Sequence, residues 1–179
     1  AWNFRRNTQG PIIDPLFVID LEDPRNPKLR GELKVPGYST YIHPLGTDHL
    51  LTVGVNSDED NMYQGMSISI FDVKDPDTPS LAHRLDFGSE GSDSDALSDH
   101  HAFTFFAAQG ILGIPIHTTE QGWPEFDGVE LTESSLRLFK IDVDSDEGIR
   151  ELGALSQMGL WEDDPMVAEN TWLRTCYPV

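Results

Sequence analysis

The chain has 179 residues, with 31 acidic against 12 basic side chains and a net charge of −19. That length allows one domain with a sizeable core. The charge argues against a nucleic-acid surface, which needs a basic patch to displace counterions, and against docking on anionic lipid. A Lys-poor acidic surface fits a secreted, salt-tolerant or cation-binding protein, and plain solvation explains it more simply. Cys176 is the only cysteine, so no intramolecular disulfide and no thiolate metal cluster is expected. No run approaches the roughly 18 apolar residues of a membrane span, so no membrane insertion is expected. The chain opens on Ala1-Trp2 without a signal peptide and stops at Cys176-Tyr177-Pro178-Val179, and we expect it to be a segment of something longer.

In chain order, residues 1–13 read as a loop or incoming strand. Pro15 to Leu21 is a short apolar run, and Asp23-Pro24 and Asn26-Pro27 then force a turn, because proline fixes its own φ and pushes the preceding residue out of the helical region. Lys28 to Val35 alternates Leu29, Gly31, Leu33 and Val35 with charged residues, the period of a half-exposed strand. Strands follow at Tyr38–Leu45, His49–Val55 and 66–73, with a surface loop from Asn56 to Gln64. Leu81–Phe87 is an outer strand with Arg84 and Asp86 facing water. After the Gly/Ser/Asp loop 88–99, His101–Ala107, Ile111–His117, Ser135–Val143 and Ile149–Leu155 read as strands. An insertion over 118–134 carries Trp123 and Phe126, and the tail 156–179 carries Trp161 and Trp172.

One phrase recurs in this series. Leu16-Phe17-Val18-Ile19-Asp20 with Asp23, Pro24, Pro27 and Leu29 returns as Ser67-Ile68-Ser69-Ile70-Phe71-Asp72 with Asp75, Pro76, Pro79 and Leu81, and Ile141-Asp142-Val143 repeats Phe71-Asp72-Val73. The spacing from Asp20 to Asp72 is 52 residues and the next is about 70, longer than the usual propeller repeat of about 40–50, with the surplus in polar loops. Strand–turn–strand pairs with two further strands between copies predict an all-β protein made of four-stranded blades. The expected units are 15–35, 38–87 and 99–155. A β-sandwich is the competing fold, but it gives no reason for the Asp–Pro–Pro turn to recur.

Pro15-Leu16-Phe17-Val18-Ile19-Asp20-Leu21, Gly31-Glu32-Leu33-Lys34-Val35-Pro36-Gly37, Tyr41-Ile42-His43-Pro44-Leu45, Ser67–Val73 and Asp99-His100-His101-Ala102-Phe103 together resemble the secreted C-terminal β-propeller domain proteins of bacteria and archaea, distant relatives of WD-repeat propellers. The resemblance covers most of 15–155. It implies an exported β-propeller, extracellular, periplasmic or at the cell surface. A propeller usually closes with at least four blades, and only about two and a half to three are visible. The remaining blades or a second chain are therefore expected as partners.

Asp99, His100 and His101 are the catalytic candidates, since an Asp–His pair supplies a base and its orienting group. The favoured alternative is structural: an Asp and a His at a blade corner forming buried hydrogen bonds, with His43 as the matching residue of the preceding unit. Calcium is the only cofactor suggested, and none is required. Its candidate ligands are Asp58 and Asp60 in one loop and Asp142, Asp144 and Asp146 in another, because hard cations take several oxygens from a tight turn. The second loop departs twice from the EF-hand pattern, with Glu147 where Gly belongs and Gly153 at the twelfth position. Gly88-Ser89-Glu90-Gly91-Ser92 is not a nucleophile elbow, and no phosphate-binding or dinucleotide motif is present. The reading is a non-catalytic scaffold for a protein or carbohydrate ligand. The alternative is a metal-dependent or hydrolytic enzyme built on Asp99, His100 and His101.

Overall fold

A computed structural model describes residues 15–58, 62–89, 92–119 and 131–156. Its regular structure is ten antiparallel strands and two single-turn 3-10 helices. The first pair, β1 (Leu16–Asp20) and β2 (Lys28–Leu33), forms a hairpin. Next come β3 (Tyr38–Leu45), β4 (His49–Ser57), β5 (Tyr63–Asp72) and β6 (Ser80–Phe87), a four-stranded meander in sequence order. The second meander is β7 (Thr104–Phe106), β8 (Ile111–Thr119), β9 (Leu131–Ile141) and β10 (Ile149–Ser156). The all-β class and the four-stranded units expected from the repeats are what the structure shows, and the sheets do not close into a ring among the described residues.

The two meanders share one core. Leu51, Val53, Met66, Ile68 and Ile70 from one sheet meet Leu112, Ile114, Ile116 and Phe139 from the other, each fully buried. The strands that carry them, β4, β5, β8 and β9, are the ones paired on both sides; β4 and β8 are near-continuous apolar runs, whereas β5 alternates Ser with Ile. Two prolines in strands are explained by pairing. Pro44 lies on the edge strand β3, and Pro115 lies beyond the reach of short β7, which pairs only with Ile111, Leu112 and Gly113. There Ser94 Oγ donates to the Pro115 carbonyl at 2.5 Å, supplying the partner β7 does not.

The recurring phrase has a common physical origin. Asp20 and Asp72 end their strands and Asp142 directly follows β9, and each carboxylate accepts the N–H two residues on, from Glu22 (2.8 Å), Lys74 (2.9 Å) and Asp144 (3.2 Å). Asp23 and Asp75 do the same for Arg25 and Asp77, at 3.1 and 3.0 Å. These are Asx turns, in which a short carboxylate stands in for a backbone acceptor.

Four expectations change. His100–Ala102 is a 3-10 turn and not the start of a strand, which leaves only Thr104–Phe106 for β7. The strands β8 and β9 run to Thr119 and from Leu131, well into the stretch read as an insertion; Trp123, Phe126 and the tail with Trp161 and Trp172 lie outside the described residues. The loop between β4 and β5 is shorter than Asn56–Gln64, because both strands continue into it. Arg84 does not face water: its side chain is 15% exposed and donates to Asp86 (2.7 Å), the Pro36 carbonyl and Asn56 (2.8 Å each). A guanidinium with five donors can bridge three acceptors across a sheet, which alternation alone does not reveal.

Candidate functional site

The loop that leaves β6 and enters β7 carries the first group of candidates. Ser94 caps Asp95–Leu97, and Asp99 caps His100–Ala102 by accepting the His101 N–H at 2.9 Å. The turn is held from both sides, since the Asp99 N–H donates to Asp95 O at 2.7 Å and Ala102 N–H to Asp99 O at 3.1 Å. Asp99 Oδ1 also lies 2.9 Å from His101 Nδ1 and 4.0 Å from His100 Nδ1, and the two imidazoles sit 3.9 Å apart. The hydrogen bonds from the His101 backbone, then from its side chain, hold the Asp99 carboxyl below the usual range.

All three residues are exposed, His101 by 79%. The expectation of a buried corner bond therefore gives way to a solvent-facing capping bond. His43 is not the counterpart of His101. It lies within β3 opposite Leu51 and packs on Phe103 (5.2 Å) and, edge-on, Phe105 (5.6 Å).

That aromatic contact opens into a second feature. Tyr41 and His43 of β3 meet Phe103 and Phe105 at the start of the second meander, with Tyr41 and Phe103 at 4.6 Å. Below them a cleft of about 390 Å³ runs between the two sheets, walled by His43, Leu45, Phe105, Ala107, Asp142 and Val143. Its size falls in the range of small-ligand pockets, and its lining mixes apolar side chains with polar groups that include His43 and Asp142. The β3–β4, β5–β6 and β9–β10 connections place Asp48, Asp72, Asp75, Asp142, Asp144 and Asp146 at the same end of the sheets, because every second connection of an antiparallel meander returns to one side.

A third arrangement was not read from the sequence. Ser134 Oγ lies 3.1 Å from His117 Nδ1, and His117 Nε2 lies 3.7 Å from Asp95 Oδ2. The three residues tie the loop before β7 to the ends of β8 and β9, a link reinforced by the Asp93–His117 backbone bridge. Ser134 is buried, so the array reads first as satisfaction of buried polar groups. A polar His-Thr-Thr ending an apolar strand was the available signal, but its partners are distant in sequence.

Among the described residues, the proposed calcium ligands are not gathered. Asp58 accepts from the Met62 N–H (2.9 Å) and from Gln64 Nε2 (2.7 Å), so both oxygens serve the β4–β5 connection; Asp60 lies outside the described residues. Asp142 caps its own turn, and Asp144 and Asp146 are exposed. Among the described residues, the set of three metal-ligating side chains that converges is Asp99, His100 and His101, whose donor atoms lie within 4.8 Å of one another.

A family model described as the beta propeller domain matches residues 12–177. The chain belongs to the β-propeller domain family. An uncharacterised protein of Methanocaldococcus jannaschii is 39% identical over 104 residues, 58% of this chain and 16% of that protein. An uncharacterised protein of Archaeoglobus fulgidus is 36% identical over 121 residues, 68% of this chain and 18% of that protein. The propeller chain thus matches less than a fifth of the length of either archaeal relative. A propeller lays its four-stranded sheets side by side, and here the β5–β6 turn sits against Gly31 of the hairpin and the β9–β10 turn against His83 of β6.

Proposed function

We propose that this β-propeller segment is a non-catalytic scaffold that binds a protein or polysaccharide outside the cell or at its surface. The cleft between the two meanders carries the reading. It lies between rigid sheets, is lined by Leu45, Phe105 and Val143, and has the His43 imidazole and Asp142 carboxylate to orient a ligand. Rigid elements with an apolar groove and few polar groups suit recognition, since little ordering entropy is lost on binding. Export is supported by the acidic surface and by the resemblance to secreted propellers. Among the described residues no helix is long and apolar enough to cross a membrane.

The test uses the full-length protein and Ala107→Trp, which fills the cleft from an exposed position. Wild-type protein is expected to retain a specific protein or glycan from native envelope or medium, and the variant to lose it while keeping its melting temperature. Equal retention by both would sink the cleft as the binding surface. Fractionation of native cells checks the location, and a cytoplasmic pool alone would contradict it.

One observation favours a hydrolytic reading, and it is Ser134–His117–Asp95 rather than Asp99–His101. A serine beside an imidazole that faces a carboxylate has the composition of a nucleophile, base and orienting acid. Covalent labelling of Ser134 by a fluorophosphonate, lost in His117→Ala, would establish it in place of the scaffold reading.

A further inference from the structure

The geometry points to a binding site for one divalent transition-metal ion at Asp99, His100 and His101. Two imidazoles and a carboxylate form a donor set that suits borderline ions such as zinc, copper and nickel, and is poor for calcium, which takes six to eight oxygens. The donor atoms already lie within 4.8 Å, with Asp99 Oδ1 at 2.9 Å from His101 Nδ1 and 4.0 Å from His100 Nδ1. Ligands around a tetrahedral zinc are about 3.4 Å apart, so modest side-chain rotations bring the three onto one ion. The side chains are exposed and free to make those rotations, whereas the backbone beneath them is fixed.

That fixing comes from three sides. Asp99 caps the turn, Asp95 O holds the Asp99 N–H, and Phe103, 8% exposed, anchors the exit between Tyr41 and His43. An ion entering the set takes the ring nitrogen of His101 that faces Asp99, and the neutral imidazole then carries its one proton on Nε2. Water completes the coordination, because no further His, Cys or acidic group converges there among the described residues. The site is independent of the interblade cleft.

Calorimetric titration of the intact chain with zinc chloride tests the site. One equivalent is expected to bind, and excess calcium is expected not to displace it. The double variant His100→Ala/His101→Ala should abolish saturable binding, and His49→Ala, outside the cluster, should leave it unchanged. Asp99→Asn is the discriminating change. Asparagine caps a turn as well as aspartate, so the fold is kept while the anionic ligand is lost, and affinity should fall by about 10–100-fold. Absence of saturable binding up to about 1 mM zinc overturns the site. So does binding that survives the double His variant, or binding that calcium displaces.

Discussion

Gly31 and His83 occupy the same register position, opposite Val18 in the hairpin and opposite Ile70 in the first meander. Each presses on the Asx turn of the next sheet. A side chain at Gly31 would meet the Pro76 carbonyl at 2.5 Å and Pro79 Cδ at 2.6 Å. In the next interface the facing turn lacks the prolines and ends on Gly148, at φ 65°, and the His83 ring fills the vacated space with its Nε2 3.3 Å from the Val143 carbonyl. A notch faces a bulky turn, and a knob faces a small one. Gly31→Ala should therefore cost about 1–3 kcal/mol by overpacking, read from urea denaturation, and an unchanged midpoint would contradict the contact. Arg30 adds a two-pronged pair to Asp77 at 2.6 and 2.7 Å, which holds that carboxyl below its usual range. Both partners are solvent-facing, so the pair fixes geometry more than it adds stability.

Acid should be felt at the same scale. Asp99 and Asp77 have folded-state pKa values below the ordinary 3.8, so their contribution is present above that value and is lost as pH falls through the lowered ones. Melting temperature should drop below about pH 4, and Asp99→Asn should flatten part of that slope. Identical acid slopes for the two proteins would remove Asp99 from the list of contributors. The pairing of Asp99 with a neighbouring histidine was legible in the sequence, because both lie in one short motif. The pairing of Asp77 was not, because Arg30 is 47 residues away.

At the scale of elements, the recurrence of Asp20, Asp72 and Asp142 was readable because an Asx turn is a local device with a local signature. The 3-10 turn at His100–Ala102 was hidden inside an apolar, aromatic stretch that reads equally as strand. The long reach of β9 was hidden too, since Leu131 to Ser134 carries the composition of a loop. What pairs with it, from Ile111 to Thr119, decides the outcome.

Leu112, fully buried where the two meanders meet, should cost about 2–5 kcal/mol when cut to Ala. A loss well under 1 kcal/mol in chemical denaturation would mean the sheets do not share that core. Tyr63 gives an alkaline counterpart. Burial, then the Asp93 charge, push its hydroxyl up to about 12, and it donates to the Ser92 carbonyl. Its contribution is whole below the ordinary value of 10 and is lost as pH rises towards 12, so Tyr63→Phe should lessen alkaline destabilisation.

For the molecule as a whole, two apolar surfaces stand uncovered among the described residues. Phe17, Ile19, Leu21 and Leu29 line the outer face of the hairpin and the turn beyond it, and Leu152 and Leu155 lie on β10, at the other end of the stack. The chain matches only part of its much longer relatives, and further blades or a second chain remain our proposal for what covers these faces. Chain of this length alone should associate as its concentration rises, measured by light scattering after size exclusion. Leu152→Ser/Leu155→Ser should weaken that association, and an unchanged mass distribution would point to other faces. The blade order was legible because each repeat is local, whereas the cleft arises only where two repeats meet, and neither His43 nor Phe105 marks it in isolation.

The scaffold reading turns on binding by the cleft without help from the histidine turn. Retention of the native partner by full-length protein, compared between wild type, Ala107→Trp and His100→Ala/His101→Ala, measures this directly. The scaffold reading predicts loss in the first variant and wild-type retention in the second. Retention unaffected by Ala107→Trp, or lost only in the histidine variant, would contradict it.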